Sequence, residues 1–138
     1  MSESALLDTH TWIWLMEDDD RLSSRSIKMI DEFQFRSSLF VSAASVWELG
    51  NLERSGRITL RLPLEEWLRK AYSDGGVQQI SINDKIALAS TRLPGEIHRD
   101  PIDRILVATA RLHALTLLTR DRLLLSYADH GHLIARKI

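Results

Sequence analysis

The chain has 138 residues, of which 44% are hydrophobic and 27% are charged, with a formal net charge of −1 and no cysteine. These values are typical of one soluble globular domain with a real core, and they exclude a disordered chain. The lack of cysteine excludes disulfides, thiolate metal sites and cysteine nucleophiles.

Short apolar runs alternate along the chain with longer segments of helical periodicity. The runs predict strands at residues 5–7, 39–41, 77–82 and 116–119, and a fifth, edge strand at 132–134. Apolar spacing and capping residues predict helices at residues 9–16, 23–35, 42–54, 64–72, 83–93 and 102–113, and a last short helix opening at Asp121. Strands separated by helices pair in parallel. We therefore expect a single α/β domain over residues 1–138, with a mainly parallel sheet of four or five strands.

Membrane and export signals are absent from the sequence pattern. No apolar run approaches the roughly 20 residues that a membrane-spanning helix needs. The first ten residues, MSESALLDTH, do not show the basic and apolar segments of a signal peptide. We therefore expect a cytoplasmic protein with no membrane partner.

Four acidic residues lie where a strand ends or in the first turns of a helix. Asp8 and Asp121 directly follow the first and fourth predicted strands. In an open parallel sheet, binding sites form beyond the carboxyl ends of the strands, so both residues point to a site there. Each could equally be the N-cap of the next helix, and the sequence leaves both interpretations open.

Glu48 and Asp103 are placed by helical periodicity. Glu48 shares a partly apolar helix face with Ala44, and Asp103 shares one with Val107. Because a charged group on an apolar face is unfavourable unless it is paired, both residues are expected to face a cleft. Asp100, followed by a proline, is expected to be a structural helix cap.

Carboxylates that converge on one sheet edge repel one another. Two of them about 5 Å apart interact unfavourably by roughly 3 kcal/mol at an effective dielectric of about 20. Such a cluster raises its own pKa values or binds a cation, and hard oxygen ligands favour Mg²⁺ or Mn²⁺. The pattern predicts a metal-dependent hydrolase, in which Asp8 or Asp121 could accept the proton of the attacking water.

Other residues beside the four acids are candidates for substrate contacts or proton transfer. Arginine greatly outnumbers lysine, which suits a phosphate-bearing substrate or simply reflects genome composition. The candidates for substrate binding are Thr9, Ser42, Arg99, Arg104 and Arg120. His10 and His98 are proton carriers or structural residues. The four tryptophans are expected in the core or at a dimer face, and the acidic run 17–20 in a solvated loop.

Four stretches that span the chain resemble the PIN-domain family, in particular the VapC-like toxins of bacterial toxin–antitoxin modules. These stretches are LLDTH (6–10), SAASVWELGNLERSGRI (42–58), HRDPIDRILVATA (98–110) and LLTRD (117–121). The resemblance implies an α/β/α sandwich and a Mg²⁺- or Mn²⁺-dependent endoribonuclease. It also implies a homodimer, silenced by a VapB-like antitoxin whose tail enters the active-site groove.

By the same resemblance, the catalytic and metal-binding residues are Asp8, Glu48, Asp103 and Asp121, and the fourth acid is the most variable in the family. The alternative is a PIN-like module that binds RNA or a protein without cutting. A phospho-receiver domain would need a lysine after its last strand, and Lys137 is the only late lysine. A phosphatase with an aspartate nucleophile would need Asp-x-Asp, whereas Asp8 is followed by threonine and histidine.

Overall fold

A computed structural model describes residues 3–138 as alternating strands and helices. The strands are β1 (Ala5–Leu7), β2 (Leu39–Ser42), β3 (Gln78–Ile80), β4 (Thr116–Thr119) and β5 (Ala135–Lys137). The helices are α1 (Thr9–Met16), α2 (Ser24–Phe35), α3 (Ala43–Arg54), α4 (Leu64–Ser73), α5 (Asp84–Thr91), α6 (Pro101–His113) and α7 (Arg122–Asp129). None of the helices within residues 3–138 combines the length and apolar character needed to cross a membrane.

The five strands form one parallel sheet in the order β3-β2-β1-β4-β5. At its centre, Leu6 pairs with Phe40 on one side and with Leu117 on the other. The chain runs outward from β1 to β3 and then returns past β1 to add β4 and β5. The strand order therefore reverses between β1 and β4, which is where parallel sheets open a crevice at their carboxyl edge.

Both faces of the sheet are covered by helices, as the alternation of side chains along each strand requires. Leu7 and Leu118 belong to one apolar cluster, which also contains residues of α1, α2, α3 and α4. Leu6 and Leu117 point to the opposite cluster, which is built mainly with α6 and α7. The arrangement is a three-layer α/β/α sandwich, so the predicted fold class is confirmed.

The sheet edges differ from the prediction, whereas the predicted helices all form with boundaries shifted by a few residues. β3 covers only Gln78–Ile80 of the predicted 77–82. The prediction of a strand at 132–134 was wrong, because β5 begins at Ala135, which pairs with Leu117. Leu133 is instead buried in the cluster with α6 and α7. Its apolar character therefore reflects burial in a loop rather than strand formation.

The acidic run at 17–20 was predicted to be a solvated loop, and this prediction was wrong for Glu17. Its side chain is only 15% exposed. The backbone N–H of Arg61 donates to Glu17 Oε1 (2.9 Å), and the indole N–H of Trp67 donates to Oε2 (3.1 Å). Glu17 therefore joins the end of α1 to the segment that leads into α4. Asp18, next to it, has a side chain that is 86% exposed.

The two neighbouring acids offer a matched test of this contact. Glutamine at position 17 has one side-chain oxygen and one NH₂ group. The NH₂ group would face one of the two N–H donors, and that donor would lose its acceptor. We expect Glu17→Gln to lower the free energy of unfolding by about 1–3 kcal/mol. Asp18→Asn is expected to change it by less than about 0.5 kcal/mol. Urea unfolding curves measure both values, and equal effects would contradict the assigned role of Glu17.

Candidate active site

A cavity of about 530 Å³ opens at the carboxyl edge of the sheet, above β1 and β4. Its wall contains Asp8, Thr9, His10, Trp14, Arg21, Glu48, Asp100, Asp103, Arg120 and Asp121. Half of these residues are carboxylates, and they come from four separate parts of the chain. We call this the acidic cavity. All four acids singled out from the sequence lie on its wall.

Asp8 is both a helix cap and part of the cavity wall. It follows β1 directly and is only 8% exposed. The Thr11 backbone N–H donates to Asp8 Oδ1 (2.8 Å), which caps α1. The hydroxyl of Thr119, the last residue of β4, donates to Asp8 Oδ2. Two adjacent strands therefore fix the position of this carboxylate.

Asp121 has the same double role after β4. The backbone N–H groups of Leu123 (2.8 Å) and Leu124 (3.1 Å) both donate to its Oδ1, which caps α7. The N–H of Asp121 donates to the Thr119 hydroxyl oxygen (3.0 Å). That hydroxyl in turn donates to Asp8, so Thr119 connects the two carboxylate-bearing turns. The cap interpretation of Asp8 and Asp121 is therefore confirmed, and both residues also line the acidic cavity.

The start of α6 brings two further carboxylates. Asp100 Oδ1 accepts from the Asp103 N–H (3.0 Å), so the predicted cap is confirmed. Asp103 lines the cavity, and its Oδ2 lies 2.6 Å from Nε2 of His98. Burial raises the pKa of Asp103 to about 6, and the nearby Asp100 and Asp121 charges add to this, while the contact with His98 opposes it. The raised pKa therefore reflects mainly the burial of Asp103, with a smaller contribution from the neighbouring carboxylates.

Positive charge lies on another part of the wall. Arg120 and Arg21 both contact the indole of Trp14, with the guanidinium carbons 4.9 and 5.6 Å from the ring centroid. Arg120 also donates to the backbone carbonyls of Ile138 (3.0 Å) and Arg21, which fixes its position. Sequence reasoning found Arg120 but missed Arg21 and assigned Trp14 to a core or dimer face. No local pattern predicts this grouping, because Arg21 and Arg120 are far apart in the sequence.

The other candidates for substrate binding are distributed unevenly. Thr9 lies on the wall, and its hydroxyl donates to Ser45 Oγ (2.9 Å). Ser42 is buried as the N-cap of α3 and is not on the wall. Arg104 is not on the wall, and its Nε donates to the Ser90 carbonyl (2.9 Å), which holds α6 against α5. Arg99 is exposed outside the cavity.

The donors of the acidic cavity suit a hard divalent cation in chemistry, because they are carboxylate oxygens. Their spacing is looser than a closed metal site. Within residues 3–138, no three histidine, aspartate or glutamate side chains come close enough to hold a metal ion as a group. The structure thus brings the four acids to one cavity wall without gathering three of these side chains into a group.

The PIN domain family model matches residues 5–129 of the chain. A curated relative, Ribonuclease VapC22 of Mycobacterium tuberculosis, is 35% identical over 127 residues, which is 90% of this chain and 92% of that protein. The chain therefore belongs to the PIN domain family, and the predicted resemblance is confirmed.

Solved structures of low sequence identity share this fold. The crystal structure of VapBC2 from Rickettsia felis bound to a promoter DNA fragment matches with a TM-score of 0.70 at 14% identity, over 96% of this chain and 97% of the matched chain. The crystal structure of FitAcB from Neisseria gonorrhoeae matches with a TM-score of 0.61 at 20% identity, over 95% of both chains. At these identities the likeness concerns the fold.

The pKa of Asp103 leads to a prediction about the stability of the metal-free protein. A carboxyl group whose pKa is raised from 3.8 to about 6 in the folded state favours folding when protonated, and this contribution is lost as the pH rises through about 6. In EDTA, Asp103→Asn should therefore gain up to about 3 kcal/mol relative to wild type between pH 4 and 7. Denaturant unfolding across this range measures it. Parallel pH profiles for the two proteins would contradict the assignment.

Proposed function

We propose that the chain is a Mg²⁺- or Mn²⁺-dependent endoribonuclease that acts as the toxin of a toxin–antitoxin pair. The observation that carries the proposal is the meeting of carboxylates from four chain segments in one cavity at the β1–β4 crevice. RNA as the substrate is supported by the 35% identical relative, whose name is that of a ribonuclease. A bacterial cytoplasm is the setting that this function requires.

Asp8, Glu48, Asp103 and Asp121 would hold the cation. When bound, a divalent ion supplies an activated water and offsets negative charge on the phosphate. The guanidinium groups of Arg120 and Arg21 would bind the phosphodiester, since arginine pairs well with phosphate oxygens and Arg120 is already fixed by two carbonyls.

His98 lies behind the wall of the acidic cavity in contact with Asp103, so this pair offers a route for a proton to leave the cavity. A proton taken from water by Asp103 can pass to His98, whose Nε2 lies 2.6 Å from Oδ2. Asp8, considered for this role from the sequence, uses both oxygens to accept hydrogen bonds from Thr11 and Thr119.

Exposed apolar side chains suit the protein partners of this proposal. Trp47, which precedes Glu48 on α3, is 66% exposed. A VapB-like antitoxin that covers Trp47 would also reach the cavity. Leu88 of α5 and Leu112 of α6 are about half exposed on two helices that pack together, and they suit a homodimer contact.

A second candidate function is a PIN-like module that binds RNA or a protein without cutting. The spacing of the carboxylates favours it, since no three metal-ligating side chains within residues 3–138 form a closed group. The two candidates differ in one measurable property, namely cleavage that depends on added metal.

Glu48 offers the cleanest test of cleavage, because Asp8 and Asp121 also cap helices. We expect Glu48→Gln to lower Mn²⁺-dependent RNA cleavage by more than about 100-fold. This loss would exceed the one that is typical when a residue that only hydrogen-bonds to a metal ligand is replaced. Glu53→Gln, at an exposed position of the same helix, should cleave like wild type. Cleavage of a mixed RNA pool is measured with Mn²⁺ and with EDTA. Equal cleavage by all three proteins, or none by wild type, would contradict the proposal.

The biological role is tested by expression in a bacterial host. Wild type and Glu53→Gln are expected to arrest growth, whereas Glu48→Gln should be tolerated because it cannot cut RNA. Co-expression of the small open reading frame next to the gene should relieve the arrest. Arrest by Glu48→Gln as strong as that by wild type would show that toxicity does not come from cleavage.

A further inference from the structure

A second cavity of about 400 Å³ lies directly beside the acidic cavity. Its wall includes Ile97, His98, Leu123, Tyr127, His130 and His132. We call it the histidine pocket. It comes from the loop between α5 and α6, from α7, and from the segment that leads to β5, and it plays no part in the mechanism above beyond sharing His98.

Two hydrogen-bonded pairs form the partition between the cavities. His98, on the histidine pocket, contacts Asp103, on the acidic cavity, at 2.6 Å. The N–H of Leu123, on the histidine pocket, donates to Asp121, on the acidic cavity, at 2.8 Å. A chain molecule with a phosphate in the acidic cavity can therefore place its neighbouring unit in the histidine pocket.

The chemistry of the two cavities differs sharply. Among residues 3–138, Glu96 is the one carboxylate on the wall of the histidine pocket, and no lysine or arginine lines it. Flat rings and aliphatic groups make up most of the wall. Such a surface does not attract phosphate, but it does suit a nucleobase, because bases stack on aromatic side chains and form hydrogen bonds through their edges.

The rings of the histidine pocket are held in position. His130 Nδ1 lies 2.8 Å from the Ser126 carbonyl oxygen. The His132 ring packs on Tyr127 with the centroids 5.0 Å apart, and the Tyr127 hydroxyl donates to the Pro94 carbonyl. Gly95 has a φ of +67°, and a Cβ there would lie 2.5 Å from His132 Nε2. Glycine therefore permits the close approach that keeps His132 in place.

We propose that the histidine pocket binds one nucleobase of the RNA strand whose scissile phosphate lies in the acidic cavity. This inference rests on the proposed ribonuclease function and names a subsite for its substrate. A metal ion suits the pocket less well, because His98 and His130 already contact Asp103 and the Ser126 carbonyl through ring nitrogens. The base in the pocket contributes binding through stacking, while the acidic cavity handles the phosphate.

The first experiment uses wild type and a short RNA substrate with a single cut site. Each nucleotide near the cut is replaced in turn by an abasic one, which keeps the phosphates and removes one base. Removal of the base that occupies the pocket should lower kcat/KM by roughly 5- to 150-fold, the range for loss of one stacked base. Equal kcat/KM for every abasic substrate would overturn the inference about the pocket. Such a result would still support the nuclease assignment, because the substrates are cleaved.

Variants then test whether the loss of kcat/KM caused by removing this base arises in the histidine pocket. His130→Ala should lower kcat/KM for the intact substrate and show no further loss with the critical abasic substrate, because the same contact is already missing. His113→Ala, at an exposed position at the end of α6, should keep the wild-type penalty. Thermal melting checks that both variants fold. If His130→Ala still lost as much kcat/KM as wild type with the critical abasic substrate, the base would bind elsewhere and the inference would be overturned.

A binding experiment separates this inference from the nuclease assignment. Imidazole NMR signals of Glu48→Gln are followed as a six-nucleotide RNA is added in Mg²⁺. Signals of His130 and His132 should shift, while that of His113 should not. Such shifts support the pocket even if wild type fails to cleave RNA, which would contradict only the nuclease proposal. Shifts caused by the antitoxin and not by RNA would show a protein-docking surface and overturn the inference.

Discussion

The fold holds carboxylates from four chain segments in one crevice, and this is the constraint on which the rest of the structure depends. The sheet order brings the ends of β1 and β4 together, and each end is followed directly by an aspartate. Neither side chain can swing away, because Asp8 and Asp121 are fixed by the N-termini of α1 and α7. Burial in this crevice raises the pKa of Asp103 to about 6, and the adjacent carboxylate charges add to the effect.

Helix capping and the candidate site are one arrangement rather than two. A cap needs a side-chain oxygen just beyond a strand, and that same place is the crevice where parallel sheets bind ligands. The Thr119 hydroxyl connects both caps by donating to Asp8 and accepting from Asp121. Substitution of either aspartate therefore changes stability together with any activity, whereas Glu48 lies within α3 and reports on the site alone.

The sequence was sufficient to predict those features that depend on neighbouring residues. The apolar runs of β1 and β4, the helix spacing and the Asp100 cap before Pro101 all follow from neighbouring residues. The features that the sequence did not predict depend on contacts between segments that are distant in the chain. Glu17 accepts a hydrogen bond from Arg61, which lies 44 residues away, and Arg21 reaches the cavity beside Arg120, 99 residues away. Leu133 is apolar because it covers the core from a loop, so its pattern wrongly predicted a strand.

In the two proposals, the acidic cavity binds the charged phosphate and the histidine pocket binds a nucleobase. The central claim is that the four acids jointly bind a divalent ion. The most direct measurement is anomalous diffraction from a crystal soaked in Mn²⁺. The account predicts a strong peak in the acidic cavity, within bonding distance of Asp8, Glu48, Asp103 or Asp121 oxygens. A fully soaked crystal with no peak there, and with the carboxylates still apart, would contradict it.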